Sequence, residues 1–425
     1  MNFNWFLNYR ENVFNALIVF LITSLPIGYL PSTLTLYILV LFFFIDKKSN
    51  LSNKLKIIRK SRLVLYYLVF FVIQIIGLTY TEYFEKGLTK VLVLLPFVFL
   101  PAIIISEGKT NGFKRVYLIL KILIPIVFIL IATGYAISDE YRGMDNFVQI
   151  WFVDKIGLSQ FYLVFVLLLG VFFSIKDLNV NNLIFNVLLV LVSAYFILVM
   201  NNFTGLIFLV VSLLIFVRKV YYITSGKTFS IILGGLILLS VLVVNNSKKL
   251  ERKYEPLITV SPNIDQIIVK NKYAYTRNSF EHRLYIAYMV ISDWKNSFPF
   301  GVGTGDTQFY LNHLYKDNTF LTGIKYELNA HNQYLQEYLK TGILGLSVFL
   351  SFLIYILKES GKKNSIFFIF ILFFGIACLM ESYLNRYHGV IIFSGIIPIV
   401  LMDNLSVLTK RNVILRDFLI KHNTN

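Results

Sequence analysis

Apolar residues form long unbroken runs along this chain, and polar residues are largely confined to the stretches between them. Twelve runs stand out: 13–30, 32–45, 63–80, 88–105, 115–137, 156–175, 183–200, 203–217, 229–245, 342–357, 365–384 and 388–408. Most approach the ~20 residues that an α-helix needs to cross a hydrocarbon core of ~30 Å. The runs are continuous, whereas the strands of a membrane barrel alternate, and a helix satisfies its own backbone in lipid. The pattern predicts an all-α, polytopic transmembrane helical bundle of about twelve spans.

One polar stretch is much longer than the others. Residues 246–341 separate the ninth and tenth runs, and short segments with helical periodicity predict that this loop is partly helical. A loop of this length without a function of its own is uncommon. The chain therefore divides into residues 1–245 with nine spans, residues 246–341 with the candidate chemistry, and residues 342–425 with three spans and a tail.

Composition and charge place the chain in a membrane. Hydrophobic residues make up 57% of it and charged residues 15%, against ~25% charged residues in soluble domains. Of the 40 Lys and Arg residues, 22 fall in every second polar segment, counted from the N-terminal one. Because Lys and Arg favour the cytoplasmic side of a membrane, this distribution predicts cytoplasmic N- and C-termini and a long outer loop. We therefore attribute the net charge of +17 to the orientation of the chain in the membrane and not to nucleic-acid binding.

Several kinds of chemistry are disfavoured by the sequence. The single cysteine, Cys378, lies within an apolar run, which excludes a disulfide framework and a cysteine metal cluster. The chain has no HExxH motif, no phosphate-binding GxxxxGK[ST] motif and no close ligand set of His, Asp and Glu. We therefore expect a reaction that uses no metal, ATP or other cofactor.

The long loop contains an arginine-bearing segment, "TRNSFEHRLYIAYMVISDW", at residues 276–294. Its apolar positions recur at helical spacing, so Arg277 and Arg283 belong to one helical region. A guanidinium group suits a diphosphate or a carboxylate and stays charged at working pH. The alternative interpretation is a surface arginine that pairs with Glu281 or Asp293.

A glycine-rich segment follows, "FPFGVGTGD", at residues 298–306. Alternating glycines, including Gly301 and Gly303, permit a tight backbone with converging amides, which is one way to bind an anion. A plain turn is the alternative.

Four of the five histidines, His282, His313, His331 and His388, fall on the outer side in this topology. Asn329 is a candidate N-cap, which would place His331 in the first turn of a helix, where the helix dipole favours the neutral ring. His331, Leu335 and Tyr338 would then share one helical face. A neutral imidazole can act as a general base, although a structural histidine is the alternative.

The run His331, Asn332, nine residues, Gly342, two residues and Gly345 resembles the signature of bacterial O-antigen ligases. Their superfamily also includes O-antigen polymerases and pilin-type protein O-glycosyltransferases. In that family the signature closes a long periplasmic loop, which also carries an arginine-containing helix and a Pro-x-Gly-x-Gly turn, similar to Arg283 and residues 299–303 here. The stretch "ESYLNRYHG" at 381–389 is similar to the acidic residue and glycine around the family's last outer turn.

The resemblance implies a glycosyltransferase of the bacterial inner membrane. It would move a glycan from undecaprenyl diphosphate to an acceptor hydroxyl at the periplasmic face, with His331 as the general base. The candidates for binding the diphosphate, in order of preference, are Arg283, Arg386 and Arg277. The candidates for supporting roles are Asn332, Gly342, Gly345, Gly301, Gly303 and Glu381.

The acceptor distinguishes two functions that share this chemistry. Lipid A core as the acceptor would make the protein an O-antigen ligase, which is the preferred interpretation. A second lipid-linked repeat would make it an O-antigen or exopolysaccharide polymerase. A secondary transporter is the alternative from another class, and the concentration of ionisable residues in one outer loop disfavours it.

Overall fold

The computed structural model describes residues 3–46, 48–108, 110–200, 202–230, 234–235, 259–361 and 365–401. These residues form α-helices, short 3₁₀- and π-helical segments and connecting turns, and they include no β-strand, so the all-α prediction is confirmed. The α-helices are α1 (Phe3–Thr23), α2 (Tyr29–Phe44), α3 (Lys48–Lys60), α4 (Arg62–Leu78), α5 (Phe84–Val93), α6 (Pro96–Glu107), α7 (Thr110–Ala136), α8 (Gln160–Asp177), α9 (Leu183–Met200), α10 (Phe203–Ile223), α11 (Ile264–Asn271), α12 (Ser279–Ser292), α13 (Trp294–Ser297), α14 (Thr307–Asp317), α15 (Leu321–Tyr326), α16 (Gln333–Gly361), α17 (Ser365–Ala377) and α18 (Tyr387–Ile391).

Several of these helices suit a membrane. Six helical stretches within the described residues are long and apolar enough to cross one, or seven if α3 and α4, bent by 75°, count as one span. Three shorter apolar helices are Tyr29–Phe44, Ile366–Ala377 and Tyr387–Leu401. The predicted number of about twelve spans is therefore not confirmed. The predicted span 229–245 lies almost wholly outside the described residues, as do the end of the last predicted span, the C-terminal tail and the start of the long loop.

Helix α8 lies at the centre of the bundle. Every residue from Tyr162 to Ile175 is buried, and the helix packs against α7, α9 and α10. A helix that is apolar all round gains most when neighbours cover all of its faces, so this sequence belongs in the middle of the bundle.

The described part of the long loop, residues 259–341, has a small core of its own. Short helices α11, α12, α14 and α15 pack around Tyr285, Tyr315 and Phe320, which are fully buried. The prediction of a partly helical loop is therefore correct for these residues.

Residues 259–341, which we call the outer segment after their predicted side of the membrane, are attached to the end of α4 by direct hydrogen bonds. The Thr304 amide donates to Gly77 O at 3.1 Å, and the Thr304 hydroxyl donates to Gln74 O at 2.8 Å. The Asp306 carboxylate accepts from the Glu82 and Tyr83 amides at 2.8 and 2.9 Å. These contacts fix the outer segment against the bundle.

Helix α16 joins the outer segment to the membrane and is broken at one point. Thr341 and Gly342 have non-helical backbone angles, and Gly342 has φ +66°. A Cβ at Gly342 would overlap Pro299 O, so only glycine fits where the 298–306 loop crosses the helix. Gly342 therefore interrupts the helix, whereas Gly345 lies within it and packs closely against Thr341.

Candidate active site

A histidine and a glutamate that are 50 residues apart in the chain meet at the end of the bundle that carries the outer segment. His331 Nδ1 lies 3.0 Å from Glu381 Oε2, and both side chains are largely buried. Glu381 follows the end of α17 at Ala377, in the turn that leads to α18. A carboxylate on Nδ1 orients the ring and leaves Nε2 as the nitrogen that can accept a proton. Nε2 has no hydrogen-bond partner among the described residues.

Arg283 completes this group of charges from helix α12. Its Nη2 lies 3.9 Å from Glu381 Oε2, the same oxygen that His331 approaches. Its Nε donates to Met380 O at 2.8 Å, and its Nη1 donates to Ser279 O at 2.7 Å. The guanidinium group is therefore held in place by the segment that carries Glu381, and it retains N–H groups that can bind an anion. We call His331, Glu381 and Arg283 the outer triad.

The local structure of His331 differs from the prediction. His331 has φ +44° and precedes α16, and its amide donates to Asn329 Oδ1 at 2.7 Å. Asn332 is the N-cap, since its Oδ1 accepts from the amides of Tyr334 and Leu335 at 2.9 and 3.1 Å. The prediction of Asn329 as N-cap and of His331 in the first helical turn is wrong. Asn329 and Asn332 both suit the role of N-cap, and only the path of the backbone decides which of them caps the helix.

Gln333, a sequence candidate for orienting the imidazole or contacting a sugar, joins the two segments of the triad. Its amide donates to Cys378 O at 2.7 Å, and its side-chain oxygen accepts from the Leu384 amide at 2.7 Å. These bonds lie on either side of Glu381. Gln333 also donates to Glu337 Oε1 at 2.6 Å, within a fully buried network that includes Gln74 and Lys340. Gln333 therefore sets the position of the Glu381 turn relative to His331.

The charges favour an ionised carboxylate at Glu381. Burial by itself raises the pKa of a carboxyl group, but the hydrogen bond from His331, the charge of Arg283 and the Ser382 amide together hold the Glu381 pKa below its ordinary value. An ionised Glu381 stabilises the protonated imidazole that forms when His331 takes up a proton. This arrangement suits general-base chemistry.

Among the described residues, neither of the other two candidate arginines makes a hydrogen bond or ion pair with the outer triad. Arg277 is exposed, precedes the N-cap of α12 and makes no ion pair within the part of the chain that the structure describes. Arg386 is also exposed and lies five residues beyond Glu381. Arg283 pairs with neither Glu281 nor Asp293, because Lys270 binds Glu281 at 3.0 Å and Tyr310 binds Asp293.

The amides of the glycine-rich loop are already used. The Gly301 amide donates to Ser297 O at 2.6 Å, and the Gly303 amide donates to Lys340 O at 3.1 Å. A Cβ at Gly301 would crowd the backbone of residues 339–342. These glycines therefore pack the loop against the break in α16, and their amides do not form an anion site. Among the described residues, no group of three or more His, Cys, Asp and Glu side chains is placed to hold a metal ion.

His282 is a buried neighbour of the triad whose protonation should affect stability. Burial, together with the charge of Arg283, lowers the pKa of His282 to about 4. The unfolded chain binds this proton near pH ~6.5, so folding stability should fall by up to about 3 kcal/mol as the pH drops from ~6.5 to ~4. Thermal unfolding in detergent across this range would measure the effect. His282→Gln should flatten the dependence, whereas His313→Gln, at an exposed position, should leave it unchanged. An unaltered pH dependence in His282→Gln would contradict this assignment.

Comparison with known proteins agrees with the geometry. Residues 187–350 match the family model described as O-Antigen ligase. The predicted resemblance to the O-antigen ligase superfamily is thereby confirmed. The matched region includes Arg283, His331 and Gly342 but ends before Glu381, so the His331–Glu381 contact is a result of the tertiary structure alone. No curated protein matches the chain. The match and the apolar helices together support a membrane glycosyltransferase of the O-antigen ligase or polymerase type.

Proposed function

We propose that this protein is an O-antigen ligase-like enzyme of the bacterial inner membrane. It transfers a glycan from undecaprenyl diphosphate to a hydroxyl of lipid A core at the periplasmic face. The observation that carries this proposal is the outer triad: a proton acceptor, its orienting carboxylate and a guanidinium group converge within the matched family region and the turn beyond it. The distribution of Lys and Arg supports a periplasmic position for the long loop.

The reaction requires one displacement. The acceptor oxygen attacks the anomeric carbon of the donor, the bond from that carbon to the diphosphate oxygen breaks, and both electrons leave with the undecaprenyl diphosphate. His331 Nε2 takes the acceptor proton while Nδ1 keeps its contact with Glu381. Arg283 stabilises the negative charge that develops on the departing diphosphate. The donor's phosphate ester linkage supplies the driving force, so the step requires no nucleotide.

Purified protein in lipid nanodiscs, supplied with an undecaprenyl-diphosphate-linked glycan, tests this function. A ligase forms product with lipid A core, whereas a polymerase forms a longer lipid-linked glycan from donor alone. We expect product with lipid A core. Product with a second lipid-linked repeat only would replace the ligase by the polymerase, and no product with either acceptor, from protein that is folded, would overturn the proposal.

A further inference from the structure

A second cluster of charged side chains lies in a pocket of about 100 Å³ between α7 and α8. The charged residues that line it are three lysines and one aspartate, namely Lys114, Lys121, Lys176 and Asp177. Three positive charges against one negative charge leave a net charge of +2 in its walls. A concave site with an excess of positive charge favours an anion.

The pocket lies at the other end of α8 from the outer triad. Near the start of α8, the centre of the Tyr162 ring lies 5.5 Å from that of Tyr383, which is two residues beyond Glu381. Lys176 is 14 residues further along α8, which corresponds to ~21 Å along a helix axis. The distribution of Lys and Arg predicts that this end of the bundle faces the cytoplasm. An anion bound there would lie at the level of the lipid headgroups of the cytoplasmic leaflet.

The base of the pocket is held in place by the protein itself. Lys121 is only 4% exposed, and its ammonium group donates to Asp177 Oδ2 and, at 3.1 Å, to Asn186 Oδ1. Asn182 Nδ2 also donates to Asp177 Oδ2, at 2.9 Å. Because two donors already neutralise Asp177, this carboxylate repels a bound anion only weakly. An ammonium group has three N–H donors, so Lys121 retains one for a ligand.

Apolar and aromatic surface surrounds these charges. Tyr117 and Phe173 line the pocket, and the Lys176 ammonium group lies 4.2 Å from the centre of the Tyr117 ring. Phe185, at the start of α9, is 44% exposed, and its ring centre lies 5.5 Å from Lys121 Nζ. A free inorganic anion gains nothing from such surface, whereas the glycerol backbone and acyl chains of a lipid do.

The mouth of the pocket carries a cation that is available to a ligand. Lys114 and Lys121 are seven residues apart on α7, which places them on one helical face. Lys114 is exposed and makes no ion pair within the part of the chain that the structure describes. A ligand that contacts both lysines is therefore held between a fixed donor at the base and a charged side chain at the entrance.

The size of the pocket agrees with a phosphate group. A cavity of ~150 Å³ can bind benzene, which has six heavy atoms. A volume of about 100 Å³ therefore suits a phosphate group, which has five. We propose that this pocket binds the phosphate of an anionic glycerophospholipid from the cytoplasmic leaflet. The site lies at the opposite end of the bundle from the outer triad and does not depend on the proposed glycan transfer.

Native mass spectrometry of the full-length protein in detergent, titrated with phosphatidylglycerol, counts the lipids that stay bound and tests this site. We expect one tightly held phosphatidylglycerol. Lys114→Gln should weaken its binding about fivefold, the loss expected for one lysine near an anionic headgroup. Arg115→Gln is the matched control, because Arg115 is the exposed neighbour of Lys114 on α7 and does not line the pocket. It should change the Kd by less than about twofold, as most surface substitutions do.

Two further ligands identify the source of the phosphate. Phosphatidylcholine, whose choline group cancels the phosphate charge, should bind several-fold more weakly than phosphatidylglycerol. Equal binding of the two lipids would show that the pocket does not select an anion and would overturn the proposal. Inorganic phosphate at millimolar concentration should not displace phosphatidylglycerol. Displacement by inorganic phosphate would assign the pocket to a free anion instead of a lipid.

The pair of variants separates the pocket from the general attraction of a basic surface. Equal weakening by Lys114→Gln and Arg115→Gln would attribute the binding to the surface as a whole and reject the pocket. Because lipid binding is measured without a glycan donor, this result is distinguishable from the outcome of the transfer assay.

Discussion

Replacing His331 by alanine should lower kcat for glycan transfer by about 10²–10⁴-fold, the usual contribution of a general base. The side chain is the proposed proton acceptor of the outer triad, and no other imidazole among the described residues contacts Glu381. KM for the donor should change little, because the proton is transferred only in the transition state. Initial rates at saturating donor would measure the effect.

Two controls separate chemistry from folding in this experiment. His313→Ala removes an exposed histidine of the same outer segment, which pairs with Asp317 at 3.6 Å, and should retain full activity. Glu381→Gln should also lower kcat, and adding it to His331→Ala should cost little more, since Glu381 acts through the imidazole. Additive losses would show that Glu381 has a separate role. Full activity of a folded His331→Ala protein would end the general-base assignment.

Replacing Arg283 by glutamine should lower kcat by about 10²–10³-fold, as expected when a preorganised donor to developing charge is lost. The guanidinium group is anchored to Met380 O at 2.8 Å and lies beside Glu381, so it is already in place before the diphosphate begins to leave. Arg283→Lys should recover part of the rate because it restores the charge without the planar fork.

Arg277→Gln is the matched control, because Arg277 is an exposed arginine near the start of the same helix. It should leave kcat within a factor of about two, the range of most surface substitutions. Arg386→Gln tests the other candidate for the diphosphate. A larger loss in Arg386→Gln than in Arg283→Gln would move the diphosphate to Arg386 and contradict the preference for Arg283.

The helices of this protein follow largely from local sequence. Long apolar runs must form helices in lipid because each backbone group needs a partner within its own segment. The break at Gly342 was also predictable, since glycine is the residue that tolerates the backbone angles found there. The position of His331 was not, because Asn329 and Asn332 both suit the capping role and differ only in the path that the chain takes between them.

The role of the glycine-rich loop shows a different limit. Gly301 and Gly303 fit an anion site in sequence, but in the structure their amides bind carbonyl oxygens of Ser297 and Lys340. The sequence does not show whether a backbone amide is free or already hydrogen-bonded, because that depends on what packs against the loop. The joining role of Gln333 could not be predicted either, because nothing in a glutamine marks it as the residue that connects two distant segments.

The sequence by itself determined that the chain is a helical membrane protein with its candidate chemistry in one long loop, and it identified His331 and Arg283. Composition, apolar run length and motif spacing are local quantities, so they can be read without coordinates. Only the tertiary structure decided that Glu381 joins these residues, that Arg277 does not, and that Lys121 and Asp177 share a pocket between α7 and α8. Contacts between segments 50 or more residues apart depend on how helices pack, and helix packing is set by side-chain shape across the whole bundle.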